Sequence, residues 1–473
     1  MTKEMSEVTF GVLVGNRGFF PDELVRRGRK KVVEVLDELG YGTVVLSEED
    51  TECGAVETRE DAKKCAALFA ENAEEIDGVL VTLPNFGDEK AVAETLRNSG
   101  LDVPVLVHAF PDERESMDLD HRRDSFCGKL SVCNNLKQYG ISFSLTNSHV
   151  VHPDAEEFTE EVDEFARVCR VVRGVKGARL GAIGARTGPF NTVRFSEKIL
   201  ERRGISVETI DLSEIIGAAE ELDIEADRAQ EELEKVESYV PTGDVPRSSV
   251  EKIARLSAVI NDWIAENDLD ATAVQCWSAI EEIYGVVPCT AMSMMSEGLL
   301  PSACEVDVMG ALAMYSLQLA SGQPAALADW NNNYGEEEDK VVTFHCSNLP
   351  RSFFSEVKMS CQDILAEDVG VENTYGTCVG RIAPGPATFF RLSTADNEGV
   401  IKSYLTEGRF TADELDSFGG YGVAKIEGLQ QLLRHIASEG FEHHVAMTKD
   451  HVASALEEAL RKYLDWDLYR HQG

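Results

Sequence analysis

Between residues 305 and 444 the chain carries side chains able to share one divalent cation: Glu305, Asp329, His345 and one of His443 and His444. Glu305 stands in ACEVDVMGALAMYSLQLASG, where it reads as the opening residue of a helix whose apolar positions Val308, Leu312, Met314, Tyr315 and Leu317 face a core. A carboxylate at such an entrance either complements the helix dipole or faces a pocket as a ligand. Asp329 closes an apolar, strand-like run in AALADWNNNYG. Ligands of open α/β sheets gather at the carboxyl ends of strands, although Asn331 to Asn333 would also serve as an ordinary turn. His345 ends the β-branched run VVTFHCSNL, and FEHHVAMTKDH supplies His443, His444 and His451. Adjacent strand residues point to opposite faces, so at most one of His443 and His444 can face a given pocket. The plainer alternative is an exposed histidine cluster.

Two carboxylates with two imidazoles form a mixed oxygen and nitrogen set. Such a set suits Mn²⁺, Co²⁺, Fe²⁺ or Mg²⁺ better than a thiolate site would. An ion with an open position chelates two adjacent sugar oxygens, polarises a carbonyl and stabilises a developing enediolate. Carboxylates beside it can move a proton between neighbouring carbons. Gln275, Trp277 and Asn331, at strand ends, are candidates for holding the substrate. Other chemistries are poorly supported. GVLVGNRG and GAIGARTG follow strands, but neither has the GxGxxG spacing of a dinucleotide loop, and no acidic residue is placed to hold a ribose.

The elements that must position these residues repeat. Apolar runs at Val8 to Gly15, Thr43 to Ser47, Gly78 to Pro84 and Val103 to Ala109 alternate with amphipathic helical segments. Short connections between buried strands and helices predict a doubly wound parallel sheet. An acidic helix over residues 154–175 leads to a second such series: a strand at Ala178 to Ala185, a helix in NTVRFSEKILERRG, the strand ISVETIDL, a helix in SSVEKIARLSAVINDWIAEN, and a strand at Ala271 to Trp277. After residue 340 KVVTFHCSNL, TYGTCVGRIA, PATFFRLSTA and GVIKSYLTEGRF read as strands separated by Pro, Gly and Asn, with helices sparse until the end. The expected fold is α/β: two doubly wound parallel-sheet domains, at 1–153 and 154–339, followed by a C-terminal antiparallel β-barrel-like domain at 340–473.

With 84 Asp and Glu against 45 Lys and Arg, the formal net charge is -39. Such a surface repels nucleic acid and anionic membranes. It serves solubility or, on a sharper reading, suits a high-salt host. Eleven cysteines, an odd number with no CxxC, speak against a disulfide scaffold or a zinc knuckle and for reduced thiols in a cytoplasm. The start MTKEMSEVTFGVLVGNRG has no basic-then-apolar leader, and no transmembrane run is expected.

MSMMSEGLLPSACEVDVMGALAMYSLQLASG, ALADWNNNYG, TFHCSNL and HHVAMTKDH resemble, in this order, segments of the L-fucose and L-arabinose isomerase superfamily. RDSFCGKLSV (Arg123 to Val132) and TGPFNTVRF (Thr187 to Phe195) are similar to further segments of it. The resemblance implies a metal-dependent aldose–ketose isomerase acting through a cis-enediol on a free or modified sugar. Glu305, Asp329 and His444 match the three ligands of the fucose type, and His345 the additional histidine of the arabinose type. Glu305 and Asp329 would also be the catalytic pair, with Mn²⁺ or another divalent cation as cofactor. The resemblance further implies a homo-oligomer, a trimer or hexamer, whose pocket a neighbouring subunit completes, with Phe19 to Glu23 as the candidate contributor. A two-lobed, non-catalytic sugar receptor or regulator is the alternative from another class.

Overall fold

Parallel strands joined through amphipathic helices organise the N-terminal region of the computed structural model, which describes residues 7–473. The chain forms two units, one of residues 7–173 with 458–465, the other of 174–457 with 466–473. In the first, five parallel strands lie in the order Gly42–Val45, Thr9–Val14, Gly78–Leu83, Val105–Ala109 and Ser144–Leu145. The apolar runs of Thr9–Val14, Gly78–Leu83 and Val105–Ala109 are buried on both faces, as their unbroken Val and Leu content requires.

The second unit holds two sheets. Its parallel sheet has the order Ser206–Ile210, Arg179–Ile183, Ala271–Val274, Ser302–Cys304. The chain reverses direction of sheet growth between Arg179–Ile183 and Ala271–Val274, and the crevice at their carboxyl ends is the place where such folds bind ligands. Its other sheet has nine strands, mostly antiparallel; Val400–Phe410 also pairs with Gly420–Lys425, which joins six strands into a partial ring. Ala326, Ala328, Val341, Phe389, Phe410, Ala424, Val445 and Met447 form its core. The expected fold class, two doubly wound parallel sheets and a largely antiparallel β region, is the one observed.

Several local expectations differ. NTVRFSEKILERRG is a helix only over Glu197–Glu201, because Asn191–Val193 forms a 3-10 turn and an extended Arg194 separates the two. Helices Leu212–Glu221, Asp227–Tyr239 and Leu429–Ser438 add to those expected. The helix expected to open at Glu305 spans Val308–Ser321, with Asp307 as its N-cap. Its side chains are buried almost all round, so it serves as a central pillar, in contact with strands of both sheets. All eleven cysteines are free. No helix among the described residues is long and apolar enough to cross a membrane.

Candidate active site

Glu305 follows the last strand of the parallel sheet, Ser302–Cys304, in a tight turn. Glu305 (φ 61°) and Val306 (φ 55°) are both left-handed. Two consecutive non-glycine residues there cost about 1–2 kcal/mol each, which a sequence free to choose glycine would avoid. The turn is held by Val306 N–H donating to Val274 O (3.2 Å) and Asp307 N–H to Cys304 O (3.0 Å). It leaves the Glu305 side chain 5% exposed, with Oε1 accepting from Trp277 Nε1 at 3.2 Å.

Asp329 and His444 come from antiparallel neighbours, Ala325–Tyr334 and His444–Thr448, and are directly opposite in register. Side chains so paired share a face. His444 Nε2 lies 3.3 Å from Glu305 Oε2 and 3.5 Å from Asp329 Oδ1, but neither approach is aligned as a hydrogen bond. Glu305 Oε2, Asp329 Oδ1 and His444 Nε2 are thus three buried polar atoms with no hydrogen-bond partner, both oxygens lying near the one nitrogen. Buried polar atoms are rarely left so, and a bound ion is a standard reason. The separations of the two carboxylate oxygens from His444 Nε2 approach the roughly 3 Å expected between neighbouring ligands of one cation. His345, 2% exposed at the end of Glu337–His345, has a ring nitrogen within 4.8 Å of ligand atoms of both Glu305 and His444. His444 belongs to two groupings whose ligand atoms lie within 4.8 Å of one another, one with Glu305 and His345 and the other with Asp329 and His443.

His443 departs from the alternation argument. It precedes the strand that starts at His444, so it is free of the pleat, and its Nε2 lies 3.6 Å from Asp329 Oδ1. Both histidines of the pair face this centre. His443 is the more open of the two, while the His444 side chain is fully buried.

The residue that sequence reasoning missed is Asp307. Its side chain, 0% exposed, accepts from Gly310 N–H (2.8 Å) as a helix cap, receives the Arg391 guanidinium through both terminal nitrogens, and bonds His444 Nδ1 at 2.8 Å. Arg391, itself fully buried, reaches Glu442 Oε2 with Nε at 3.1 Å, and Glu442 Oε1 accepts from Ser393 Oγ at 2.8 Å. A Cβ at Gly310 would meet Asp307 Oδ2 at 2.6 Å, so only glycine leaves the carboxylate its place. This chain fixes which nitrogen of His444 faces the centre, the usual function of a carboxylate behind a ligating imidazole. Asp307 is held far below the ordinary carboxylate range, because Arg391 and His444 outweigh the burial that pushes it up. Burial pushes His444 down, yet Asp307 and Glu305 hold its pKa up at about 10. Burial likewise raises Glu305, and His444 and His345 bring it below its usual value. The carboxylates here make a field that collects positive charge at His444 Nε2, which is the field a cation would find.

Of the three substrate candidates, Trp277 is in the wall of the centre through Glu305. Gln275 Oε1 accepts from Ala185 N–H at 2.8 Å and pins the loop after Arg179–Ile183. Gly184 (φ +82°) permits this, since a Cβ there would lie 2.5 Å from Gln275 Oε1. Asn331 is exposed, its Oδ1 accepting from Asn332 Nδ2. Phe190, from the TGPFNTVRF segment, completes the wall: its ring centroid is 5.2 Å from that of Trp277 and 5.7 Å from that of His443.

Comparison with known proteins agrees with this architecture. Residues 11–176 match the N-terminal domain model of fucose/sulfoquinovose isomerase, and residues 343–471 match the C-terminal domain model of L-fucose isomerase. His345 and His444 lie inside the second match; Glu305 and Asp329 lie between the two. The chain belongs to the fucose isomerase-like superfamily. It is an aldose–ketose isomerase, which sets aside the non-catalytic receptor reading. Among curated relatives it is 26% identical, over 370 residues, to a sulfoquinovose isomerase of Alkalicoccus urumqiensis; the alignment covers 76% of this chain and 79% of that one. It is 26% identical over 276 residues to a sulfoquinovose isomerase of Priestia aryabhattai, covering 57% of this chain and 59% of that one. A third relative of the same name, from Clostridium sp. (strain MSTE9), is 25% identical over 229 residues, covering 48% and 50%.

Proposed function

We propose that this protein interconverts a sulfonated aldohexose and its ketose through a cis-enediol, at one divalent cation held by Glu305, Asp329 and His444, with His345 as a further ligand. The observation that carries the metal reading is the trio of unpartnered buried atoms, Glu305 Oε2, Asp329 Oδ1 and His444 Nε2. Mn²⁺ suits this oxygen and nitrogen set, with Co²⁺ or Mg²⁺ as substitutes. The sulfonated substrate rests on the names of the relatives.

When bound, such an ion polarises the sugar carbonyl and stabilises negative charge on the adjacent oxygens. The chain's own residues supply the rest. One of Glu305 and Asp329 takes the proton from C2 and the other returns one at C1. Trp277 Nε1 holds Glu305 Oε1 and leaves Oε2 free toward the centre. Asp307 fixes the His444 ring, and Arg391 keeps Asp307 ionised. Phe190 and Trp277 present aromatic faces that orient a sugar and exclude water. Gln275, through its amide, and Asn331 are proposed as additional substrate contacts.

We also propose a homo-oligomer with a pocket completed by a neighbour; Phe19, 76% exposed, is its candidate contributor, and light scattering of the purified protein tests the association. The activity is tested by incubating the protein with Mn²⁺ and a panel of aldohexoses with and without a 6-sulfonate, read for ketose formation. Conversion of the sulfonated sugar is expected; ketose formation from neutral sugars alone contradicts the substrate assignment.

A further inference from the structure

The loop after Arg179–Ile183 is pinned at both ends, by Ala185 N–H on Gln275 and by Phe190 against Trp277 and His443 of the site. It lies at the reversal point of the parallel sheet. Between the two pins stand Arg186 and Thr187, closed by a turn in which Phe190 N–H donates to Thr187 O at 3.0 Å. Both side chains lack what such groups normally have. Arg186 is half-buried and donates only from Nη1 to Thr187 O at 3.2 Å; no carboxylate among the described residues is within ion-pair distance. This is unusual in a chain with 84 acidic residues, where the neighbouring Arg179 pairs with Glu208. Thr187 is 5% exposed, and its buried Oγ1 has no hydrogen-bond partner. An unpaired guanidinium beside an unsatisfied buried hydroxyl, on the loop whose Phe190 lies against Trp277 and His443, is suited to an oxyanion that brings its own acceptors.

Resting on the substrate class proposed above, we propose that Arg186 and Thr187 bind the sulfonate of the sugar and set the enzyme's preference for the anionic substrate. A sulfonate carries one charge over three oxygens. The guanidinium fork of Arg186 takes two of them, and the Thr187 hydroxyl donates to the third. The reacting C1 and C2 lie at the other end of the hexose, so the anionic group reports on selectivity and orientation and takes no part in the bond changes.

The experiment measures kcat and KM for sulfoquinovose and for 6-deoxyglucose, the same sugar without the sulfonate, on the parent, Arg186→Gln, Arg186→Lys and Thr187→Ala, with each variant's fold checked by thermal melting. The readout is the ratio of the two kcat/KM values. Arg186→Gln is expected to lower it by about 100-fold, mainly through KM, and Thr187→Ala by about 10-fold. Arg186→Lys is expected to recover part of the loss, because it keeps the charge without the fork. An Arg186→Gln or Arg186→Lys enzyme with the parental ratio overturns the assignment while leaving the proposed activity standing. A parent that prefers 6-deoxyglucose overturns both, and does so before any variant is made.

Discussion

Replacing Asp307 by Asn separates the support of the site from its ligands. The carboxylate makes four contacts: Gly310 N–H, two Arg391 nitrogens and His444 Nδ1. Asn keeps the size and can still cap the helix. It removes the negative charge that holds Arg391, leaving that buried cation with Glu442 alone. Breaking a buried ion pair by removing one partner costs about 3–5 kcal/mol, and the retained Glu442 contact favours the lower end. It also removes the obligate acceptor that compels His444 to carry its hydrogen on Nδ1. An amide can donate there, in which case Nε2 bears the hydrogen and points it at the centre. Loss of such a partner weakens metal affinity by about 10–100-fold, or about 1.4–2.7 kcal/mol. Titration of the metal-free protein with Mn²⁺, followed calorimetrically, gives the Kd, and urea unfolding gives the stability. A folded Asp307→Asn protein with the parental Kd would refute the claim that this carboxylate governs the His444 ring.

Other perturbations address other parts of the account. Glu305→Gln and Asp329→Asn should each lower turnover of the sulfonated sugar by orders of magnitude with the circular dichroism spectrum preserved; near-parental turnover in either removes that residue from proton transfer. Gly310→Ala should destabilise by about 1–3 kcal/mol through overpacking against Asp307, seen as a lower urea midpoint. Glu281 is fully buried, neither carboxyl oxygen has a partner, and burial raises its pKa to about 8. The native state therefore holds this proton more tightly than the unfolded chain, so its contribution is complete below the unfolded pKa and is lost as pH rises through about 8. Glu281→Gln should thus change stability by under about 1 kcal/mol at pH 5 and raise it by roughly 4 kcal/mol at pH 8, and equal unfolding midpoints for both proteins at pH 8 would show that the carboxyl finds a partner in solution.

The architecture was legible because uninterrupted Val and Leu runs alternate with amphipathic segments, a pattern that admits few folds besides a buried parallel sheet. Glu305, Asp329, His345 and His444 could be chosen for their types and strand-end positions, together with a family resemblance. Their convergence could not be read, since it depends on register between strands more than a hundred residues apart. Asp307 was overlooked because the helix was started three residues early, at Glu305 instead of Val308. The preference of Asp for an N-cap, followed by the helical run from Val308, was the available signal. Arg391 offered another: a charged residue inside the apolar strand PATFFRLSTA must be paired, though only the fold says with what. The expectation for His443 failed because alternation begins only where the strand does. The Arg186–Thr187 pair leaves no mark in sequence at all, since what distinguishes it is the absence of partners.

The central claim is that one ion sits among Glu305 Oε2, Asp329 Oδ1 and His444 Nε2. Diffraction from crystals grown with Mn²⁺, collected near the manganese absorption edge, tests it most directly. The account predicts a single strong anomalous peak per chain within about 2.0–2.4 Å of those three atoms, with His345 beside it. A peak elsewhere, or saturating Mn²⁺ with no peak between these side chains, would contradict it.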